Sequence, residues 1–316
     1  MAIQGYNTAE ARIGKVKGDI IAHALPVEVL GITGQEKKIG KNKSDTIVFR
    51  RWLPYGATTS APNAWSVTAA SHLISEGVTP SADTLTPQDI TVQVQQYGVL
   101  YGWTDKTEDA YEDDMPAAAR EMVGERVGLI REMVRYGGLK ACTNKFYAGG
   151  TSRATVDKTV TIPFLRQITD SLLGNRADLV TSILKASTSY GTQPIEAGFL
   201  VFCSTKCEND IRNLPGFTKV AEYGQMKPIH PMELGAVDRY RFIVSPELAG
   251  IADSGAAVGS TGLDSTTGSN IDVYPLIVVA EDAWGDVALR GMESIKEINV
   301  PVGTQDSGDP GGQRDY

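Results

Sequence analysis

Cysteine and histidine are scarce in this chain, and long apolar runs are missing from it. The 316 residues include 3 cysteines and 3 histidines. A small, odd number of cysteines offers no disulfide framework and is typical of proteins made in a reducing compartment. No stretch approaches the roughly 20 apolar residues of a membrane-spanning helix, and the N-terminus lacks the apolar core of a signal peptide. The sequence therefore predicts a soluble protein that is made in the cytoplasm and has no membrane contact.

An excess of basic residues is also missing. The chain has 30 Lys and Arg against 38 Asp and Glu, which gives a formal net charge of -8. Tight binding to nucleic acid depends on clustered basic side chains that neutralise phosphates, so this class of function is not expected. With 41% hydrophobic and 22% charged residues, the composition is ordinary for a folded protein, and the length suffices for one large or two modest domains.

The familiar motifs of enzymes and metal sites do not occur in the sequence. His23, His72 and His230 are far apart, and none lies in an HExxH motif or beside a GxSxG nucleophile elbow. Cys203 and Cys207 are four residues apart, but a zinc site would need a second pair of ligands at matching spacing. We therefore predict no catalytic residue, no metal ligand and no cofactor, and a protein that is not an enzyme.

A short basic run lies near the N-terminus, where Lys37, Lys38, Lys41 and Lys43 surround Gly40. The run lacks the leading glycine and the adjacent Lys-Ser pair of a nucleotide-binding loop. It either contacts acidic neighbours or nucleic acid, or it forms a solvated turn. A solvated turn is the more common structure for such a run.

The chain from Thr46 to Val99 has the pattern of a long β-hairpin. Thr46 to Trp52 is one strand candidate, and from Ile90 to Val99 apolar and polar residues alternate with the two-residue period of a half-buried antiparallel strand. Between the two lies a polar segment of over thirty residues interrupted by glycine and proline, and loops of that length are usually functional or disordered. The pattern predicts an arm that reaches another molecule.

A long amphipathic helix is predicted over residues 115–145, about 45 Å in length. Asp113 or Asp114 can cap its start, and Pro116 occupies a first-turn position where proline is tolerated. Its predicted apolar face consists of Val123, Val127, Ile130, Val134, Gly137 and Ala141, flanked by Met122, Leu129 and Met133. Glu132 lies off this stripe, so its replacement by alanine is expected to be tolerated.

The remainder mixes short strands, helices and turns. Strands are predicted at 159–162, 198–203, 240–244, 271–280 and 295–300, and helices at 163–184 and 205–214. The segment 249–270 is rich in Gly, Ser, Thr and Ala and is predicted to be a flexible loop. This order of elements indicates an α+β protein rather than a wound parallel sheet.

An acidic cluster precedes the long helix, in residues 105–114. Its carboxylates belong to Asp105, Glu108, Asp109, Glu112, Asp113 and Asp114. Carboxylates at helical spacing can hold Ca²⁺ or Mg²⁺, which would make the protein a metal-dependent enzyme or binding module, although the spacing differs from that of an EF-hand. The alternative is favourable negative charge near a helix N-terminus, and this is the interpretation we prefer.

A series of short motifs extends over roughly residues 70 to 300. It comprises Glu76-Gly77-Val78-Thr79-Pro80 with Leu85-Thr86 and Gln96-Tyr97-Gly98, then Phe146-Tyr147-Ala148-Gly149-Gly150, Arg212-Asn213-Leu214-Pro215-Gly216-Phe217, Ala221-Glu222-Tyr223-Gly224, and Leu234-Gly235 before Tyr240-Arg241-Phe242-Ile243. In this order the motifs resemble the coat-protein family of tailed bacteriophages with the Hong Kong 97-type (HK97-like) capsid fold, and more narrowly the branch typified by coliphage N-four. The similarity is poor over 1–70, 249–270 and the C-terminal tail, and Asp238-Arg239 replaces a more glycine-like turn.

The resemblance implies an α+β fold of HK97-like architecture with six parts. These are an N-terminal arm (1–43), an extended β-hairpin or E-loop with its base strands (44–105), a peripheral domain (106–194) built on the spine helix 115–145, an axial domain (195–290), a return strand of the peripheral domain (291–302) and a C-terminal tail (303–316). The E-loop and the arm are expected to contact neighbouring subunits. The residues expected there are Trp52, Pro54, Tyr55, Trp65, Glu76, Gly77, Val78, Thr79, Pro80, Lys37, Lys38 and Lys41.

The function implied by the resemblance is that of a major capsid protein. Pentamers and hexamers of the chain would form the icosahedral shell of a virion around double-stranded DNA, contacted nonspecifically. An acidic chain suits this role, because a shell must not clamp the genome that it encloses. No large scaffolding segment precedes the expected fold, so a separate scaffolding protein is expected, together with a portal and a cement protein.

Overall fold

The computed structural model describes residues 27–40, 43–58, 67–77, 79, 83–103, 115–181, 195–223, 227–259 and 262–289. The strands are β1 (Gln35–Ile39), β2 (Thr46–Trp52), β3 (Pro87–Gln93), β4 (Phe199–Ser204), β5 (Thr218–Lys219), β6 (Glu233–Val237), β7 (Tyr240–Ser245), β8 (Ile277–Val279) and β9 (Gly285–Leu289). The α-helices are α1 (Met115–Lys140), α2 (Ile162–Gly174) and α3 (Glu208–Arg212). The mixture of helices and strands agrees with the predicted α+β class.

A five-stranded mixed sheet forms the centre of the protein, in the order β5-β6-β7-β4-β8. Strands β4 and β7 are parallel, and the other neighbouring strands are antiparallel. Every residue of β4, β6 and β7 is buried. A strand that is covered on both faces consists almost entirely of apolar residues, whereas a strand covered on one face alternates apolar and polar residues. The sequences of β4 and β7 are mostly apolar, as expected for strands covered on both faces.

Successive residues of the central strands point to opposite faces of the sheet and so build two separate cores. Phe199, Val201 and Cys203 of β4 face a core that contains residues of α2 and α3. Leu200 and Phe202 face a second core, which contains Tyr136 of α1 and two residues from the N-terminal part of the chain. The sheet is therefore a middle layer with helices on both sides.

Helix α1 is shorter than predicted and turns a different face to the protein. It begins at Met115 as expected but ends at Lys140 rather than at residue 145. Among its described side chains, Glu132 and Tyr136 are buried, whereas Val134 of the predicted apolar stripe is exposed. The predicted stripe was therefore wrong in phase near the middle of the helix, and Glu132 belongs to the buried face. The contacts that bury this carboxylate come from residues about a hundred positions earlier in the sequence.

The predicted hairpin is present as an antiparallel pair. Strand β2 has the predicted bounds, Thr46–Trp52, and pairs with β3 from Thr46↔Gln93 to Trp52↔Pro87. Strand β3 begins earlier than the alternating pattern and ends at Gln93, so the alternation from Val94 to Val99 does not form strand. Among the described strands, these two pair only with each other.

The N-terminal part of the described chain packs against the body of the protein. Strand β1 pairs in parallel with β9, from Gln35↔Gly285 to Ile39↔Leu289. Gly34 forms the turn that precedes β1, with a φ of 102°, and a side chain there would collide with the ring of Trp284. The pairing joins residues about 250 positions apart, and nothing in the sequence pattern indicated it.

Other predicted elements are shorter in the structure, or differ in kind. The helix expected at 163–184 is α2, which ends at Gly174, and residues 205–214 form a 3-10 turn followed by α3. Residues 159–161 form no strand, and only Ile277–Val279 of the expected strand 271–280 is one. The segment 249–270 carries two isolated bridges, Ile251↔Val273 and Ala257↔Asn270. The predicted strand at 295–300 and the tail lie outside the described residues.

Candidate assembly surface

The predicted assembly residues that the structure describes are largely on the outside. In the hairpin, Trp52 and Tyr55 are exposed, Pro54 is half-buried, and Glu76, Gly77 and Thr79 are exposed. Lys37 and Lys38 are exposed on β1. Trp65, Val78, Pro80 and Lys41 lie outside the described residues. Side chains in such positions are available to a partner.

Exposed apolar side chains are concentrated on the hairpin and its flanks. Leu73 is 82% exposed and Leu85 is 78% exposed. The others are Val48, Trp52, Tyr55, Val67, Ile74, Ile90, Tyr97 and Leu100. Several exposed apolar side chains on one hairpin favour an interaction site, whereas single exposed apolar residues are normal on a protein surface. We refer to this set as the hairpin apolar surface.

Polar contacts hold the base of the hairpin in register. The Arg50 guanidinium donates to both carboxylate oxygens of Asp89 across the strand pair, at 2.8 Å each. The Asp45 carboxylate accepts from Gln93 Nε2 at 2.7 Å and from the Thr46 hydroxyl at 2.9 Å. These hydrogen bonds lower the pKa of Asp45, and those from Arg50 lower the pKa of Asp89. The contacts fix which strand residues face each other, but exposed ion pairs add little stability.

The part of the loop next to β2 has its own local order. Leu53 is buried, and its N–H donates to the Thr86 carbonyl, which extends the pairing of the two strands by one step. The rings of Tyr55 and His72 meet edge to face, with centroids 5.3 Å apart. A 3-10 turn at Ala69–His72 then leads to Leu73 and its exposed neighbour Ile74. The turn presents these two side chains outward.

A buried polar network lies within the central sheet. Arg241 of β7 donates to both oxygens of Glu233 in β6, at 2.8 and 3.1 Å, and Tyr223 donates its hydroxyl to the same carboxylate at 2.9 Å. Ile229 N donates to the second oxygen at 2.7 Å, so each oxygen of the Glu233 carboxylate accepts two hydrogen bonds. Burial, followed by the Glu233 charge, raises the pKa of Tyr223 well above its ordinary value. The network fixes the turn before β6 and has no open position for a substrate.

The segment that the composition predicted to be flexible is organised around two aspartates. Asp272 accepts from the backbone N–H groups of Asp253 and Thr266, at 2.8 and 3.1 Å, and from the Thr266 hydroxyl at 2.9 Å. The hydrogen bond from Asp253 is the largest cause of the lowered pKa of Asp272. Within the described part of the chain, no group of His, Cys, Asp and Glu is arranged to hold a metal ion. The acidic cluster at 105–114 lies outside that part of the chain.

The two cysteines singled out in the sequence are packing residues. Cys203 and Cys207 are buried in the core beneath α3. Burial raises the pKa of the Cys207 thiol to about 12 and that of Cys203 well above its ordinary value. Such thiols stay protonated and are poor nucleophiles or metal ligands.

Sequence analysis missed the contribution of Glu132 and of the chain around Val29 and Leu30. A charged residue in an otherwise amphipathic helix is assigned to the solvent face by periodicity alone. Glu132 is instead completely buried. The sequence contains the apolar pair Val29-Leu30 after Glu28, but no sequence pattern places this pair against α1.

Among the helices of the described chain, none is long and apolar enough to cross a membrane.

Comparisons with known proteins point to phage capsids. No family model matches the chain. Over 212 residues the chain is 24% identical to a major capsid protein of Pseudomonas phage KPP21, an alignment that covers 63% of this chain and 53% of that protein. The match therefore spans about half the length of that relative.

Solved capsid structures resemble the chain at low sequence identity. The capsid of Ralstonia phage GP4 matches with a TM-score of 0.51 and 12% identity, over 82% of this chain and 79% of that chain. Matches to the capsid of cyanophage P-SCSP1u have a TM-score of 0.48 with 12% identity, over 88% and 80% of the two chains. The mature capsid of bacteriophage PhiM1 matches with a TM-score of 0.47 and 11% identity, over 77% of this chain and 70% of that chain. The GP4 match shows that this chain has a capsid-like fold of mixed helices and strands.

Proposed function

We propose that this chain is the major capsid protein of a tailed bacteriophage and that it assembles with itself into the icosahedral shell enclosing the double-stranded DNA genome. The similarity to the major capsid protein of phage KPP21 carries the proposal. The fold shared with the GP4 capsid chain agrees with it. So does the hairpin apolar surface, which a monomer would leave in water.

The proposal includes an HK97-like architecture of the N-four branch. In it, the β2–β3 hairpin with its long loop is the E-loop, α1 is the spine helix of the peripheral domain, and the five-stranded sheet belongs to the axial domain. The separate pairing of β2 with β3, outside the central sheet, supports the first assignment. The length of α1, 26 residues, supports the second.

The mechanism of such a protein is energetic rather than catalytic. Each contact between subunits has to offset the entropy lost when the subunits associate and their contacting side chains are ordered, so a single contact is weak. A closed shell presents many copies of the same contact, and binding at one contact raises the effective concentration at the next. Weak contacts of this kind can be corrected during assembly and still hold the finished shell. A scaffolding protein, a portal and a cement protein are the further partners we propose.

Replacing residues 57–84 with a short Gly/Ser turn tests the role of the hairpin. The paired strands β2 and β3 and their Arg50–Asp89 contact remain, so we expect a folded subunit with an unchanged circular dichroism spectrum. Closed shells should be absent in negative-stain microscopy, because the surface that reaches a neighbour has been removed. Normal particles formed by this variant would contradict the assignment.

A finer variant tests the apolar surface itself. Leu73 and Ile74 are both strongly exposed, so replacing both with Glu removes apolar contact area at no cost to the core. We expect the melting temperature of the subunit to change little and the yield of shells to fall. The matched control is Ser75→Glu, which adds charge at the next exposed position without removing an apolar side chain. Loss of shells in the control as well as in the double variant would indicate a general charge effect instead of a lost apolar contact.

A further inference from the structure

A short N-terminal segment is inserted between α1 and the central sheet. Val29 and Leu30 are completely buried, and they pack in one core with Tyr136 of α1 and with Phe202 and Ile243 of the sheet. The segment from Val27 to Thr33 contains one short 3-10 turn, at Leu30–Ile32, and no other regular structure. We call this segment the N-terminal wedge.

Side chains from three other parts of the chain hold the wedge by hydrogen bonds. Glu132 Oε1 in α1 accepts from the N–H groups of Val29 and Leu30, at 2.8 and 2.9 Å. The Ser245 hydroxyl at the end of β7 donates to the Val27 carbonyl at 2.8 Å. Trp284 Nε1, in the turn before β9, donates to the Thr33 hydroxyl at 3.1 Å. All these partners are more than a hundred positions away in the sequence.

Of the two carboxylate oxygens of Glu132, Oε1 accepts both hydrogen bonds from the wedge and Oε2 accepts none from the described residues. Glu132 is fully buried, and its Oε2 has no hydrogen-bond partner among the described residues. A buried carboxylate oxygen without a partner is costly, because it loses its water and gains nothing in return. Lifting the wedge would give water access to this oxygen. Hydration of this oxygen would offset part of the free energy needed to unseat the wedge. A core in which every polar atom already has a partner gains no such offset when it opens.

The surroundings of Glu132 allow the wedge to move without unfolding the sheet. The backbones of β4, β6 and β7 form their ladders with strands of the sheet, and the hydrogen bond from these strands to the wedge is that of the Ser245 hydroxyl at the end of β7. The neighbouring Arg135 lies against Gly31 of the wedge, but its salt bridge, at 2.7 Å, is with Asp286 of β9, which is outside the wedge. Tyr136 donates to the Ala249 carbonyl at 2.6 Å, a contact that also does not involve the wedge.

We propose that the N-terminal wedge is a separable conformational element that seats and unseats within the folded subunit, and that Glu132 is the residue that positions it. When seated, the wedge fills the space between α1 and the sheet and fixes the helix against it. When unseated, this constraint is absent, and α1 is held by its contacts from Arg135 to Asp286 and from Tyr136 to the Ala249 carbonyl. The consequence for shells rests on the proposed function: subunits that occupy different positions in a shell could then differ in this one joint.

Hydrogen exchange of the unassembled full chain, followed by mass spectrometry, tests the proposal directly. The N–H groups of Val29 and Leu30 are themselves the donors to Glu132, so their exchange reports seating. In the unchanged protein, we expect the wedge to exchange about tenfold faster or more than β4 and β7, because sub-global opening requires less free energy than global unfolding. Equal rates for the wedge and the two strands would overturn the proposal.

Variants at Glu132 separate positioning from simple core packing. Glu132→Ala removes the acceptor of both N–H groups and should speed exchange of the wedge by a further factor of about ten, with β4 and β7 unchanged. Glu132→Gln keeps an acceptor oxygen and should restore part of the protection. Glu121→Ala, on the exposed part of the same helix, should have no effect. A uniform change over the whole protein, or none in the wedge, would contradict the positioning role.

A second variant covers the case in which Glu132→Ala does not fold. Ser245→Ala removes the hydroxyl that holds the Val27 carbonyl and leaves the buried carboxylate in place. It should also speed exchange of the wedge selectively, and unchanged exchange would count against the proposal. Because these measurements use unassembled subunits, their outcome does not depend on shell formation, which microscopy of the hairpin variants tests separately.

Discussion

At the scale of single residues, the most demanding contact is the buried pair of Arg241 and Glu233, whose side chains are 5% and 0% exposed. Removing one partner of such a pair leaves an uncompensated charge in the interior. We therefore expect Arg241→Ala to lower the free energy of unfolding by about 3–5 kcal/mol, measured by urea denaturation. The loss of the ring contact with Tyr223 adds to this cost.

The matched control for this prediction is Arg212→Ala. Arg212 pairs with Glu208 four residues earlier in α3, at the same 2.8 Å, but both side chains are well exposed. Exposed helical pairs contribute about 0.3–0.5 kcal/mol, so the control should be close to the unchanged protein. Similar costs for the two variants would mean that the buried network is not what stabilises this part of the sheet.

The cysteines allow a second residue-scale prediction. Cys142 is exposed, whereas Cys203 and Cys207 are buried with raised pKa values. At pH 8 a thiol reagent should modify only Cys142 in the folded protein, and the two others should react after denaturation. Because the folded pKa of Cys207 lies above its unfolded value, stability from its burial is complete below about pH 9 and declines above it. Rapid modification of all three thiols at pH 8 would contradict this environment.

Glycine positions give a third prediction, because two of them should respond to alanine with opposite signs. A Cβ at Gly198, just before β4, would lie 2.2 Å from the Arg239 carbonyl oxygen, a backbone atom that cannot move aside cheaply. Gly124 lies inside α1 with nothing near its Cβ position. We expect Gly198→Ala to destabilise the subunit clearly. Gly124→Ala should stabilise it by up to about 1 kcal/mol, since alanine is the better helix former. Thermal denaturation of the two variants side by side measures both effects.

At the scale of elements, the buried face of α1 is set by the residues that pack against the helix and differs from the face that the sequence periodicity predicted. Tyr136 is buried and donates to the Ala249 carbonyl, whereas Val134 is 45% exposed. We expect Tyr136→Ala to cost about 3–5 kcal/mol in urea denaturation, as for other large aromatic side chains in cores. Val134→Ala should cost less than about 1 kcal/mol. A larger loss of stability for Val134→Ala than for Tyr136→Ala would support the buried face that the sequence periodicity predicted.

At the scale of the whole molecule, the acidic cluster at 105–114 separates the two function classes considered from the sequence. If these carboxylates only favour the start of α1, a chelator should leave the melting temperature of subunits and shells unchanged. If they bind Ca²⁺ or Mg²⁺, the chelator should lower it and the added cation should restore it. A reversible shift of this kind, lost in Asp109→Asn, would favour the metal-dependent alternative.

The sequence by itself determined the local elements of this protein. Strand β2 was predicted with its bounds, the buried strands β4 and β7 were predicted to within a residue, and α1 begins at the predicted position. Hydrophobic periodicity and turn residues act over a few positions, and in these segments they agree with the burial that the fold imposes. The motif resemblance to phage coat proteins likewise came from the sequence, and the similarity to the KPP21 protein agrees with it.

Only the tertiary structure decided how these elements combine. The pairing of β1 with β9 and the seating of Val29 and Leu30 on Glu132 join positions more than a hundred residues apart. Whether a glutamate on a helix faces water or the interior depends on which backbone N–H groups the rest of the chain brings to it, and periodicity contains no such information. The sequence predicted that the hairpin reaches another molecule, but only the structure showed which of its apolar side chains the described chain leaves uncovered, because an alternating strand pattern by itself predicts a half-buried face.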